Sequence, residues 1–136
     1  MNLDMITAII AIVAALASPI VTTFLNNRHQ NKMKRLELIY QQQIKQYTDQ
    51  RETCESFIQF TCDYIAHRGS TYRAKFDSSR YRIMLYLSPD LSNKINRFAS
   101  DLETASLLPD SAALQAFYPI VQEIANEIGG APKAPR

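Results

Sequence analysis

The chain reads as all-α, with an N-terminal membrane-spanning helix that runs on into a long amphipathic helix and then about three shorter helices packed as an antiparallel bundle. Three observations predict this. A run of 20 residues, Ile6 to Leu25, carries no charge. Neither proline nor glycine occurs from Val21 to Arg68. Beyond Arg68, apolar residues recur at spacings of three and four between the punctuation marks Gly69, Ser88-Pro89-Asp90 and Leu108-Pro109-Asp110, which is the periodicity and boundary pattern of short helices.

Ten of the residues from Ile6 to Leu25 are Ile, Val, Leu or Phe. At a rise of about 1.5 Å per residue this run covers about 30 Å, the thickness of a bilayer's hydrocarbon core. The ten large apolar residues favour insertion by about 3–6 kcal/mol, and Ser18, Pro19 and three threonines offset part of that. Pro19 removes a backbone donor and is expected to kink the helix, with nearby Ser and Thr hydroxyls making up some of the loss.

Two other readings compete for this run. Ala15-Leu16-Ala17 resembles a signal-peptidase site, but a signal peptide carries its positive charges ahead of the apolar stretch. Here Met1 to Met5 holds only Asp4, and the cations Arg28, Lys32, Lys34 and Arg35 follow the run, with no acid before Glu37. The other alternative, a buried helix of a soluble bundle, rarely runs so long without a charge. Under the positive-inside rule the basic flank places the N-terminus outside the cell membrane and everything past Leu25 in the cytoplasm. The expected organisation is residues 1–5 extracytoplasmic, 6–25 crossing the bilayer, 26–69 a juxtamembrane amphipathic helix, 70–128 the rest of a cytoplasmic helical module, and 129–136 a disordered tail.

Within the span, Ala8, Ala11, Ala15, Ser18 and Thr22 alternate at spacings of three and four. They form a small-residue stripe of the kind that lets membrane helices approach closely, so a homo-oligomer is expected; an alanine-rich span also yields such a stripe by chance. Arg28, Lys32, Lys34 and Arg35 are expected to set topology and to meet anionic lipid head groups, at about 1 kcal/mol each.

Past the membrane, Met33, Leu36, Tyr40, Ile44, Tyr47, Arg51, Cys54, Ile58, Thr61 and Ile65 mark one amphipathic face, which widens from Phe57 onward. Gly69 is expected at the C′ position, with His67 and Arg68 as cations in the last turn. A second helix is expected over 71–87, bearing Tyr72, Phe76, Ile83 and Leu87, thickened by Met84, Leu85 and Tyr86, with Asp77-Ser78-Ser79 as a possible break. Ser88 then caps a third helix with Pro89 at its first position, and Leu91, Ile95, Phe98, Leu102 and Ala105 line it. Asp110 or Ser111 caps the fourth, which carries Leu114, Phe117, Val121, Ile124 and Ile128 and a kink at Pro119.

The search for chemistry yields no cofactor, no metal site and no enzyme. Three glycines cannot build a phosphate loop. Cys54 and Cys62, eight residues apart on one helix, stand about 12 Å apart, too far for a disulfide; unpaired thiols suit a reducing compartment. His29 and His67 offer no ligand spacing with them. Asp63 and His67 are placed to pair at i and i+4. Tyr72, Arg73, Lys75, Phe76, Arg80, Tyr81 and Arg82 interleave bases with aromatics, a mixture able to bind single-stranded nucleic acid. It is more often a core face backed by a solvated one, so nucleic acid is not expected as a partner.

A membrane helix, a basic and Gln-rich helix, and the segment Tyr81-Arg-Ile-Met-Leu-Tyr-Leu-Ser-Pro-Asp90 together resemble a loose group of small, uncharacterised single-pass bacterial and prophage membrane proteins. Ser88 stands where those have Asn, and the tryptophan-containing helix of many of them is missing. The resemblance implies a bacterial or phage origin and no particular activity. The expected role is a non-enzymatic single-pass membrane protein, partnered by the lipid bilayer, presenting a cytoplasmic module for self-assembly or for binding a protein partner. The alternative is a phage-type membrane effector, a pore former or an exclusion protein.

Overall fold

The computed structural model describes residues 3–104 and 109–134. Among them there are four helices and no strand: α1 (Leu3–His67), α2 (Ser70–Met84), α3 (Pro89–Thr104) and α4 (Asp110–Ile128). The chain divides into two units, one reaching to Gln42 and a compact one from Gln43 to Lys133.

The compact unit is an antiparallel four-helix bundle, and its contacts fix the direction of each helix. On α1 and α2, Phe57 faces Phe76 and His67 faces Tyr72, so one number rises as the other falls. On α2 and α3, Arg73 bonds Glu103 while Arg80 reaches Asn96. On α3 and α4, Ser88 meets Glu127, Lys94 meets Glu123 and Phe98 stacks on Phe117. The fourth helix returns beside the first through Phe57 and Phe117. Short loops allow this up-and-down order.

Each helix supplies one phenylalanine to a continuous aromatic core. Phe76 lies 6.1 Å from Phe57, Phe57 lies 5.7 Å edge-on to Phe117, and Phe117 stacks on Phe98 at 5.3 Å. Such pairs contribute about 0.5–1.5 kcal/mol each beyond their burial. Ile65, Ile83, Leu91, Ile95, Leu102 and Ile124 complete the interior.

The helix ends differ from expectation in an instructive way. Arg68, not Gly69, takes the left-handed conformation after α1, at φ 49°. Its guanidinium explains why: Nε donates to the Ile65 carbonyl and Nη1 to the Leu102 carbonyl, both at 3.2 Å. One cation thus serves the carboxyl ends of α1 and α3, where carbonyls lack partners and the helix dipoles are negative. Gly69 instead is the N-cap of α2, in extended conformation, its carbonyl accepting from Arg73 N at 2.9 Å. A Cβ there would come within 3.3 Å of the Tyr72 ring.

Helix α2 runs unbroken through Asp77-Ser78-Ser79 and stops at Met84, three residues short of Leu87. Leu85 consequently faces solvent, 81% exposed, and does not thicken the core. Ser88 caps α3 as expected: its hydroxyl accepts from Leu91 N at 3.3 Å and donates to the Glu127 carboxylate. All the apolar positions named for α3 are buried except Ala105, which, with Leu108, lies outside the described residues. Helix α4 starts after Pro109 as N-cap, so Asp110 is its first residue, and it continues through Pro119. Its buried face is Ala113, Phe117, Ile120 and Ile124, and Leu114 is 45% exposed. Gly129 ends it at φ 70°, a conformation glycine adopts without strain. Gly130 and Pro132 of the tail flank Gln43, Gln46, Tyr47 and Gln50 of α1; Met1, Asn2, Pro135 and Arg136 lie outside the described residues.

The face of α1 within the bundle agrees with the expected one at Phe57, Thr61 and Ile65 and departs from it at Arg51, Cys54 and Ile58. Arg51 is exposed and pairs with Glu55 at 2.8 Å, while Thr53, Phe57, Thr61, Tyr64 and Ile65 are buried and Ile58 only partly so.

Candidate functional site

The N-terminal stretch of α1 is long and apolar enough to cross a membrane: its best 18-residue window has a mean hydropathy of 2.3, and none of that window is buried within the chain. Leu16 and Phe24 are each 65% exposed and Ile20 is 70% exposed. A contiguous exposed apolar surface of this kind marks a place where a membrane or another protein binds. The threonine hydroxyls of the stretch are turned inward upon its own backbone. The hydroxyls of Thr7, Thr22 and Thr23 each donate at 2.8 Å to the carbonyl four residues earlier, those of Leu3, Ser18 and Pro19. In hydrocarbon, where no water is present to bond them, such back-bonding removes the penalty of a threonine. These hydroxyls do not reach the Ala15 carbonyl, whose partner Pro19 lacks; the expected compensation at Pro19 is therefore not the one they make.

Ala8, Ala11, Ala15, Ser18 and Thr22 all lie exposed on this helix. Within the stripe formed by these residues the Thr22 hydroxyl is folded onto the Ser18 carbonyl. Arg28, Lys32, Lys34 and Arg35 are likewise exposed. Three of them, Arg28, Lys32 and Arg35, share one shallow face with Phe24, Asn27 and Asn31, and Lys34 lies off it.

In the bundle, the basic and aromatic residues of α2 separate. Phe76 is core, and Tyr72 is half-buried and stacked on His67 at 4.5 Å. Arg73 pairs with Asp77 and Glu103, and Arg80 pairs with Asp77 while lying 4.9 Å over the Tyr81 ring. Lys75 and Arg82 remain. They line a groove of about 430 Å³ between α1 and α2 with Thr53, Ser56, Phe60, Ala74, Ser78 and Ser79. His67 does not pair with the Asp63 carboxylate; its Nδ1 lies 3.0 Å from the Asp63 carbonyl. Cys54 and Cys62 are free thiols, both pushed up in pKa, first by burial and then by the acid next to each, Glu55 or Asp63. That shift lowers the thiolate fraction and with it their reactivity.

Comparison with protein-family models, with curated proteins and with solved structures finds no match to this chain. Sequence spacing singled out Lys75 and Arg82 as part of a basic group, but it could not supply the opposite wall. Ser56 and Phe60 come from a helix whose facing side only the packed bundle defines.

Proposed function

We propose that this chain is a non-enzymatic single-pass membrane protein that holds a helical bundle at the cytoplasmic face for self-assembly or for capture of a protein partner. The observation that carries this reading is the stretch Ile6 to Leu25: free of charge, exposed at every residue, with its threonine hydroxyls bonded to its own backbone. Lipid is the solvent in which that surface is stable. The one-sided basic flank supports an orientation with the N-terminus outside, and the shared face of Arg28, Lys32 and Arg35 suits contact with anionic head groups. The stripe of Ala8, Ala11, Ala15, Ser18 and Thr22 supports association of two or more copies through the span. The raised thiols of Cys54 and Cys62 favour a structural role for both.

The test is extraction of membranes from cells expressing the full chain. Retention in the pellet after alkaline carbonate, with release by detergent, is the expected result; release by carbonate alone refutes the anchor. Crosslinking in mild detergent tests the stripe. Ala11→Ile with Ala15→Ile should abolish the crosslinked species, and an unchanged population would remove the stripe from the account. Ion leakage or growth arrest on expression would favour a pore-forming effector instead.

A further inference from the structure

The groove between α1 and α2 has the makings of an anion site, and we infer that it binds a small phosphate-bearing molecule between Lys75 and Arg82. The two cations are seven residues apart on α2, so their backbones stand about 10.5 Å apart along the axis, with Ser78 between them on the same wall. Ser56 faces them from α1, and Phe60 and Ala74 add an apolar surface. Lys75 Nζ lies 5.9 Å from the centre of the Phe60 ring.

What distinguishes these cations from their neighbours is that they have no carboxylate partner. Among the described residues the ion pairs of α2 consume Arg73 and Arg80, and neither Lys75 nor Arg82 takes part in one. The hydroxyls divide the same way. Thr53 and Ser79 donate at 2.8 Å to the carbonyls of Asp49 and Phe76, whereas Ser56 and Ser78 make no side-chain hydrogen bond among the described residues. An ammonium, a guanidinium and two free hydroxyls thus converge on one cavity with no acid in its lining. A group with several anionic oxygens uses such donors together, and a guanidinium fork matches phosphate geometry.

The surroundings also limit the ligand. A second hollow adjoins the groove, sharing Thr53, Ser56 and Arg82 and adding Asp49, Glu52 and Tyr86. Those two acids would repel a further anionic group beyond Arg82. The phosphate is therefore confined to the stretch from Lys75 to Arg82, with any apolar part of the ligand toward Phe60.

The experiment uses the full chain in nanodiscs of phosphatidylcholine, titrated with inorganic pyrophosphate by calorimetry. Saturable binding at one site per chain is expected, weakened about tenfold or more by either Lys75→Gln or Arg82→Gln, the worth of one charge-assisted bond. Both side chains are exposed, and near-UV circular dichroism verifies that each variant keeps its fold. The control variant Lys45→Gln, at an exposed cation of α1 outside the groove, should bind as the parent does. Discs doped with phosphatidylserine identify the source of the phosphate: displacement that depends on Lys75 and Arg82 assigns it to a lipid head group, and undisturbed pyrophosphate binding assigns it to a soluble compound. Absence of saturable binding, or binding lost only in the control variant, overturns the proposal.

Discussion

Arg68 sets two effects against each other, and their magnitudes decide the outcome of replacing it. Its backbone stands at φ 49°, which costs a residue bearing a Cβ about 1 kcal/mol. Arg68→Gly removes that cost. It also removes two charge-assisted bonds, to the Ile65 and Leu102 carbonyls, each at 3.2 Å. Bonds of this kind contribute about 1.5–3 kcal/mol each, and the lower end applies because Arg68 is only half-buried. The loss of about 3 kcal/mol exceeds the gain of about 1, so Arg68→Gly destabilises the bundle by about 2 kcal/mol. Arg68→Ala loses the same bonds and keeps the strain, for about 3 kcal/mol. Arg68→Lys keeps a cation at the helix ends and loses about 1 kcal/mol. The order of stability is therefore parent, Lys, Gly, Ala. Thermal unfolding of the full chain in mild detergent, followed by the near-UV signal of the tyrosines, resolves it, since 1 kcal/mol moves the midpoint by about 4–8 °C in a bundle of this size. A glycine variant as stable as the parent would refute the bridging role. An alanine variant equal to the glycine one would refute the strain.

Three further outcomes follow from the same structure. Phe57→Ala, at the fully buried centre of the aromatic core, should lose about 3–5 kcal/mol, whereas Leu114→Ala on the exposed side of α4 should lose less than about 0.5; the reverse order in the same melts would mean that the core is misplaced. Replacing Val13 and Leu16 together by arginine costs the span about 6–8 kcal/mol against an insertion gain of about 3–6, so the double variant should leave the membrane fraction, and its retention would contradict the span. Alkylation of Cys54 and Cys62 by iodoacetamide should have its midpoint above that of a free cysteine, because burial first, and the adjacent acids second, raise both thiols; the folded chain holds these protons more tightly, so stability falls as pH rises past the ordinary thiol range. A midpoint at or below that of a free cysteine would show the thiols to be activated.

Much of the fold was legible in the sequence because local signals and packing agree. Ser88-Pro89-Asp90 marks a helix start by chemistry that needs no partner, and the apolar residues of α3 occupy one stripe with few apolar neighbours beside it. Where two adjacent residues were both apolar, periodicity alone did not choose between them. Phe57 and Ile58 illustrate this: either fits a stripe, and what selects Phe57 is the pair of rings, Phe76 and Phe117, that meet it from other helices. Ala113 and Leu114 differ in the same manner, since size favoured leucine and the bundle buries alanine. The exchange of roles between Arg68 and Gly69 depended on the Leu102 carbonyl, 34 residues away in the chain. The groove at Lys75 and Arg82 was invisible for a like reason: one wall is a single segment of α2, and the other comes only with the fold.

Site-directed labelling tests the membrane account most directly. With Cys54 and Cys62 replaced by serine, a single cysteine at Asn2 or at Ser92 of the bundle is exposed to a membrane-impermeant maleimide on intact cells. The account predicts labelling at position 2 and none at position 92 until the cells are lysed. Labelling of position 92 on intact cells, or of neither position before lysis, would contradict it.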